Sequence, residues 1–265
     1  MNINCKRYAD EILEKVKKLE NKKSLAILTV GRDPASEVYV KGKKKDCEKC
    51  GIEVKHYRFP TDSTPGFVVK VITDLNADPE IGGIILQLPT PFDKEIEEDL
   101  VNMIALKKDV DGFRPGSPFK PCTPEGIINI LKKQYNGDLT GRDVLLIGRG
   151  KLVGEPLIDL LLAENCTVTV AHSRTKKVYK KIEEPRDILI SAIDKIHEID
   201  ISYCGADTIV DAGIGYYDDR LCGNCYSDFV LNRFKITPVP GGVGLMTRAV
   251  LMAHVAKASD PTFTY

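Results

Sequence analysis

The chain has 265 residues, 43% of them hydrophobic and 29% charged, enough to bury one large or two modest cores. Its formal net charge is zero, so no global field recruits nucleic acid or an anionic membrane surface. The longest apolar runs, 83–88 and 157–163, fall far short of a membrane span.

Taken in chain order, Tyr8, Ile12, Leu13, Val16 and Leu19 recur at helical spacing over 6–20. The same segment carries Asp10, Glu11 and Glu14 and no apolar h-region, which argues against a secretory or transit peptide and for a cytoplasmic address. Residues 24–30 form a short apolar run closed by Gly31, the pattern of a buried strand. Asp33 and Ser36 supply N-cap chemistry for a helix reaching Cys50. Residues 52–59 alternate as a strand, Thr64-Pro65 opens another helix, and 83–88 predicts a third strand stopped by Pro89-Thr90-Pro91. Residues 95–104 are again helical.

After Pro115-Gly116-Ser117-Pro118 the pattern restarts. Thr123-Pro124-Glu125 reads as the N-cap, proline and first-turn acid of a helix to Tyr135. There follow a strand at 143–147, a glycine loop, a helix at 153–163, and strands at 167–171, 187–193 and 208–211. Strands alternating with helices predict the α/β class, with parallel, doubly wound sheets. The expected organisation is two domains: an α/β substrate domain over 1–120 and a Rossmann-like NAD(P)-binding domain over 121–240.

The chain carries eight cysteines. Cys47-x-x-Cys50 and Cys222-x-x-Cys225 have the spacing of two zinc half-sites, but the pairs fall in different predicted domains. Reduced, unlinked thiols and no metal are the expectation.

Gly148-x-Gly150-x-x-x-Gly154 follows a strand and precedes a helix, the context of a dinucleotide-binding turn. Glycine lets backbone approach a pyrophosphate, and the helix N-terminus presents unpaired N–H groups to it. The next predicted strand ends in Ala171-His172-Ser173-Arg174-Thr175, with no carboxylate for a ribose 2′-hydroxyl. Arg149, Ser173 and Arg174 offer cationic and hydroxyl donors suited to a 2′-phosphate, which predicts NADP over NAD.

Tyr39 and Lys43, at i and i+4, share a helix face within Ala35-Ser36-Glu37-Val38-Tyr39-Val40-Lys41-Gly42-Lys43. Read in order with Gln87-Leu88-Pro89, Lys108-Asp109-Val110-Asp111-Gly112-Phe113, the glycine loop and Pro238-Val239-Pro240-Gly241-Gly242-Val243-Gly244-Leu245-Met246-Thr247, this block resembles one family over nearly the whole chain. That family is the bifunctional methylenetetrahydrofolate dehydrogenase/cyclohydrolases of one-carbon metabolism.

The resemblance implies oxidation of 5,10-methylenetetrahydrofolate with NADP, then hydrolysis of the methenyl product to 10-formyltetrahydrofolate. It makes Lys43 the proton-handling residue, with Tyr39 lining the pterin site and Gln87 holding the lysine. A depressed lysine pKa would serve that role, and Lys41, Lys44 and Lys45 are the neighbouring cations expected to depress it. Asp111 would grip the pterin amino-pyrimidine edge, where a carboxylate accepts two parallel N–H bonds. Leu88, Pro89, Pro240, Gly241 and Gly242 would line the folate cleft between the domains. Gly148, Arg149, Gly150, Val153, Gly154, His172, Ser173, Arg174, Thr175 and Ile214 would hold NADP. The family also implies a homodimer and a last helix, 245–258, packing back on the first domain.

The chain departs from the family pattern in four places. Only 114–120 separate Phe113 from Pro121. Asp194-Lys195-Ile196 replaces a glycine–proline turn, Gly223-Asn224-Cys225 replaces Gly-Asp-Val, and Leu245 replaces a proline. The changes near the cofactor raise a second reading, in which cyclohydrolase chemistry is kept and dehydrogenase activity is weakened. A shikimate-type dehydrogenase and a non-catalytic folate-binding homologue are the rival readings.

Overall fold

The computed structural model describes residues 1–227 and 233–265. In chain order the elements are α1 (Cys5–Lys18), β1 (Ser24–Val30), α2 (Pro34–Cys50), β2 (Val54–Phe59), α3 (Pro65–Ala77), β3 (Ile81–Leu86) and α4 (Lys94–Met103). After a 3₁₀ turn at Leu106–Lys108 come α5 (Cys122–Gln134), β4 (Asp143–Ile147), α6 (Gly154–Ala163), β5 (Thr167–Ala171), α7 (Val178–Glu183), β6 (Arg186–Ser191), β7 (Ile199–Asp200) and β8 (Ala206–Asp211). The chain ends with β9 (Gly215–Tyr217), β10 (Arg220–Cys222), β11 (Cys225–Tyr226), β12 (Lys235–Ile236) and α8 (Val243–Ser259). These elements fall into two compact units, residues 10–122 with 248–265, and residues 1–9 with 123–247.

The first unit is built on a parallel sheet in the order β2-β1-β3. Both β1 (SLAILTV) and β3 (IGGIIL) are buried along almost their whole length. That is why they read as continuous apolar runs and not as alternation. Leu28, Val30 and Leu86 pack with Val68 and Ile72 of α3 and Leu100 of α4 in one core. Asp33 caps α2 through Ser36 N–H, 2.7 Å from Oδ2, and Gly51 closes the helix in the left-handed region. From Ala249 to Ala253, and again at Val255 and Ala256, α8 is buried, as a helix that is apolar around its whole circumference must be.

The second unit carries a five-stranded parallel sheet in the order β12-β8-β6-β4-β5. The chain leaves β4 for β5 on one side, then returns to β6 on the other, so strand order reverses at β4. That reversal opens a crevice at the carboxyl ends of the strands, where the glycine loop lies. Residues 1–9 group with this sheet and not with 10–122, because Met1 donates its ammonium to Phe234 O (2.7 Å) while Ile3 N–H donates to Ile236 O (2.8 Å). Asp218 and Asp219, both at positive φ, form the two-residue turn of the β9–β10 hairpin.

Thr123, expected as an N-cap, lies inside α5, which starts at Cys122; its hydroxyl pairs with that of Thr247 at 3.0 Å.

Candidate active site

The periodicity of α2 sets the first half of the site. Asp33 fixes where the helix starts, so Tyr39 and Lys43 fall on one face, with Lys43 only 5% exposed. Lys43 Nζ donates to Gln87 Oε1 at 3.2 Å. The Gln87 amide is oriented by its own Nε2, which donates to Leu88 O at 2.8 Å, leaving the oxygen for the lysine. Gln87 stands one residue past β3, with its backbone N–H bonded to Leu28 O (2.9 Å), and Ser36 Oγ donates to Leu88 O (3.4 Å). The Leu88–Pro89 peptide is cis.

Asp111 completes the group, its Oδ2 3.9 Å from Lys43 Nζ. Of the two acids in the Asp-Val-Asp segment, only this one faces the lysine. Asp109 accepts the Arg114 and Phe113 backbone N–H groups (2.9 and 3.4 Å) and serves the loop. Burial pushes the Asp111 carboxyl up from its ordinary value, while the Lys43 ammonium pulls it down. The charged group beside Lys43 is therefore a carboxylate, and not the lysine cluster expected from the sequence. Lys41 and Lys45 are exposed, and burial together with the nearby Arg58 guanidinium holds Lys44 down.

Three supporting residues gave no clear signal in the sequence. Buried His254 of α8 has Nδ1 2.8 Å from Val110 O, and Cys122 Sγ lies 3.3 Å from the same carbonyl, so both brace the segment that presents Asp111. Arg248 of α8 has its Nε 2.8 Å from Asp46 Oδ2 of α2, a close ion pair whose N–H is not aligned as a hydrogen bond. The phenol of half-buried Tyr39 is pushed up by burial and pulled down by this guanidinium.

In the second unit, Gly148 has φ +119°, and a Cβ there would fall 2.0 Å from Ala192 O, so only glycine lets the loop close against the end of β6. Nothing lies within 4 Å of the Cβ position of Gly150, which leaves the loop face open. Val153 is the N-cap of α6 and makes no side-chain cap bond; Gly150 O accepts the Val153 and Glu155 N–H groups (3.3 and 3.0 Å), and the positive end of the helix faces the glycine loop. Arg149 lies two residues past β4, and Ser173 two past β5; the ends of these strands, Ile147 and Ala171, are paired in register. Arg149, Ser173 and Arg174 are exposed, while the His172–Thr175 turn is closed by Thr175 Oγ1 accepting the His172 N–H at 2.9 Å. A helix N-terminus beside two arginines and a serine fits a dinucleotide bearing a 2′-phosphate. Ile214 stands past β8 and is exposed, and Pro240, Gly241 and Gly242 precede α8 after a cis Val239–Pro240 bond.

Residues 3–111 match the family described as tetrahydrofolate dehydrogenase/cyclohydrolase, catalytic domain, and residues 121–262 match its NAD(P)-binding domain. The chain belongs to the tetrahydrofolate dehydrogenase/cyclohydrolase family. It is 45% identical over 266 residues to the bifunctional protein FolD of Agathobacter rectalis, covering 94% of each chain. Among solved structures it is similar to the bifunctional FolD methylenetetrahydrofolate dehydrogenase/cyclohydrolase of Campylobacter jejuni, with TM-score 0.87, 32% identity and 99% of each chain covered. It is also similar to the Trypanosoma brucei enzyme complexed with NADP cofactor and inhibitor, with TM-score 0.86, 25% identity, and 97% of this chain and 95% of that one covered.

The turn after β6 is held by one buried side chain. Buried Asn224 accepts from Ser191 Oγ (3.1 Å) and Ile193 N–H (3.3 Å) through Oδ1. Its Nδ2 donates to Ile193 O (2.9 Å) and Lys195 O (2.7 Å). The acid of that turn, Asp194, is exposed, as is Lys195, which pairs with Glu198 at 3.3 Å. All eight cysteines are free thiols. Burial pushes Cys47 up to about 12 and Cys50 to about 11, and Cys50 Sγ lies 3.7 Å from Leu13 O.

Proposed function

We propose that Lys43, Tyr39, Gln87 and Asp111 are the folate-processing residues of an NADP-dependent methylenetetrahydrofolate dehydrogenase that is also a methenyltetrahydrofolate cyclohydrolase. The observation that carries this reading is one buried ammonium held by a fixed amide oxygen, with a single carboxylate beside it. Gln87 and Asp111 occupy one side of Lys43 and orient the remaining N–H groups of the amine toward a substrate. Asp111, kept out of bulk water, accepts the paired N–H groups of the pterin edge, and Tyr39 supplies a flat surface for the adjoining ring.

NADP, when bound, supplies the hydride acceptor that turns 5,10-methylenetetrahydrofolate into the 5,10-methenyl cation. Its holders are the Gly148–Gly154 turn for the pyrophosphate, and Arg149, Ser173 and Arg174 for the 2′-phosphate. His172 and Thr175 shape the turn that carries Ser173 and Arg174, while Val153 and Ile214 flank the nucleotide. Pro240, Gly241 and Gly242 contribute backbone to the folate.

In the second reaction, the Lys43 ammonium first releases a proton to solvent, and the neutral amine then takes the proton of the water that attacks the methenyl carbon. Lys43 returns a proton to N5 as the C–N5 bond breaks, and the proton left on oxygen goes to solvent as the carbonyl forms. The sum is methenyl cation plus water giving 10-formyltetrahydrofolate and one proton. The product is a one-carbon donor of the kind purine ring synthesis consumes. The enzyme acts in the cytoplasm as a homodimer, a reading supported by the exposed Tyr216 and Tyr217 side chains on the nucleotide unit; sedimentation velocity tests it.

A paired absorbance assay tests the chemistry. Methenyl formation with NADP and nucleotide-free methenyl hydrolysis are both expected of wild-type protein, and hydrolysis falls at least about a hundredfold in Lys43→Met. Undiminished hydrolysis by that variant would overturn the assignment.

A further inference from the structure

The last turn of α8 leads into a closed loop. Asp260 N–H donates to Ala256 O (2.8 Å), and Asp260 Oδ1 accepts the Thr262 N–H and hydroxyl (2.9 and 2.7 Å). Phe263 N–H returns to Asp260 O at 3.0 Å, so the aspartate closes the turn with its side chain and its carbonyl together. The chain doubles back, and the hydroxyl of half-buried Tyr265 comes within 3.4 Å of Nε2 of His254 on α8. The Phe263 ring stacks on Tyr265 at 6.3 Å between centroids, and His254 meets Tyr265 edge-on at 6.4 Å.

The other nitrogen of the imidazole faces inward. Val110 O can only accept, so Nδ1, 2.8 Å from it, carries the ring proton, and Nε2 is left to accept the Tyr265 hydroxyl. The partners at the two edges thus set the tautomer. His254 is only 2% exposed and packs against Phe119 at 4.9 Å, so the ring has no room to turn without giving up both bonds. Val110 is held on its other side as well. Gly83 of β3 leaves the space its methyl groups fill, since a Cβ there would fall 2.6 Å from Val110 Cγ2. The residue that follows this pinned peptide is Asp111, whose carboxylate faces Lys43 at 3.9 Å.

We infer that His254 and Tyr265 are positioning residues for folate binding: the phenol orients the imidazole, the imidazole holds the Val110 carbonyl, and Asp111 is thereby aimed at the pterin edge. This role rests on the folate assignment above. A histidine kept for packing alone would need neither an oriented donor within nor a hydroxyl on its outer edge. A carboxylate displaced by about 1 Å no longer meets two parallel N–H groups, so the loss falls first on substrate affinity.

The test uses variants of the full chain, with methenyl hydrolysis giving KM and kcat, and melting giving Tm. His254→Leu removes both bonds, and folate KM is expected to rise about tenfold with kcat within about twofold of wild type. His254→Asn keeps an N–H where Nδ1 stands and is expected to bring KM back to within about threefold. Tyr265→Phe keeps the ring and loses only the hydroxyl; its KM is expected to rise about threefold with little change in Tm. Asn no better than Leu, or a wild-type KM in Tyr265→Phe, would overturn the inference. So would losses confined to Tm, which mark a packing role. Nitrogen NMR of the imidazole reads the tautomer without turnover; the proton is expected on Nδ1, and finding it on Nε2 would also overturn the relay. Asp111→Asn separates this inference from its premise: a folate KM untouched there counts against the folate assignment, while the imidazole spectra judge the relay alone.

Discussion

Arg248 lies against α2 at Gly42, where a Cβ would fall 2.0 Å from its Nη1, and it pairs with Asp46 one turn further along the same face. The helix that carries Tyr39 and Lys43 is thus held from α8 through a gap that only glycine leaves. Gly42→Ala gains helix propensity but displaces the guanidinium, and overpacking of this kind costs about 1–3 kcal/mol. The expected result is a lower Tm together with a KM for folate raised several-fold, while NADP affinity measured by fluorescence stays as in wild type.

Asp111 has its carboxyl pushed up by burial, with Lys43 opposing. A carboxyl raised in the folded state contributes stability below its unfolded value of 3.8 and loses it as pH rises through the folded value. Asp111→Asn removes that dependence. Relative to wild type, its Tm should therefore improve as pH rises from 4 toward 8, about a few degrees, even as folate KM rises at least about tenfold. A Tm gap that does not change with pH would contradict the sign.

His56 behaves in the opposite direction, held from 6.5 down to about 4 by burial and two cations. Its stabilising contribution is present above pH 6.5 and is lost as pH falls toward 4, because only the unfolded chain takes up the proton there. His56→Gln should flatten the acid limb of the melting curve against pH, which differential scanning fluorimetry would record.

Asn224 supplies both an acceptor and a donor to the turn after β6. Asn224→Asp sets an oxygen against the carbonyls of Ile193 and Lys195. Leaving those groups unmatched costs about 2 kcal/mol, or about 4–8 °C in Tm for a unit of this size. Thermal melting checks the stability, and dehydrogenase kcat is expected to fall more than hydrolase kcat.

Arg149→Ala should weaken NADP by at least about tenfold and NAD by much less, since only the former carries the extra phosphate. Equal losses measured by titration would refute the 2′-phosphate assignment.

Local rules made much of this molecule readable before any coordinates. Asp33 and Ser36 announced the start of α2, and with it the shared face of Tyr39 and Lys43. The apolar runs announced β1 and β4 to the residue. What stayed hidden depends on partners far away in sequence. Nothing local separates Asp109, which closes its own loop, from Asp111, which faces a lysine on another element. Thr123 looked like a cap, but α5 begins one residue earlier and its hydroxyl pairs with Thr247. Arg248, His254 and the Thr29–His56–Arg58 relay are ordinary residues until the sheet and α8 bring their partners close. The small strands β7 and β9 to β12 are two or three residues long, too short to carry a period.

The rotational phase of α2 is a single setting that decides which of two neighbouring amines meets Gln87. Adjacent residues lie about 100° apart around a helix, so Lys43 and Lys44 serve different spaces by virtue of that angle alone. Winding the helix back by one residue would hand the Gln87 oxygen to the wrong amine. The Asp33 cap at one end and the Arg248–Asp46 pair further along therefore act as two stops on one dial. Loosening either should blur both partner choices together.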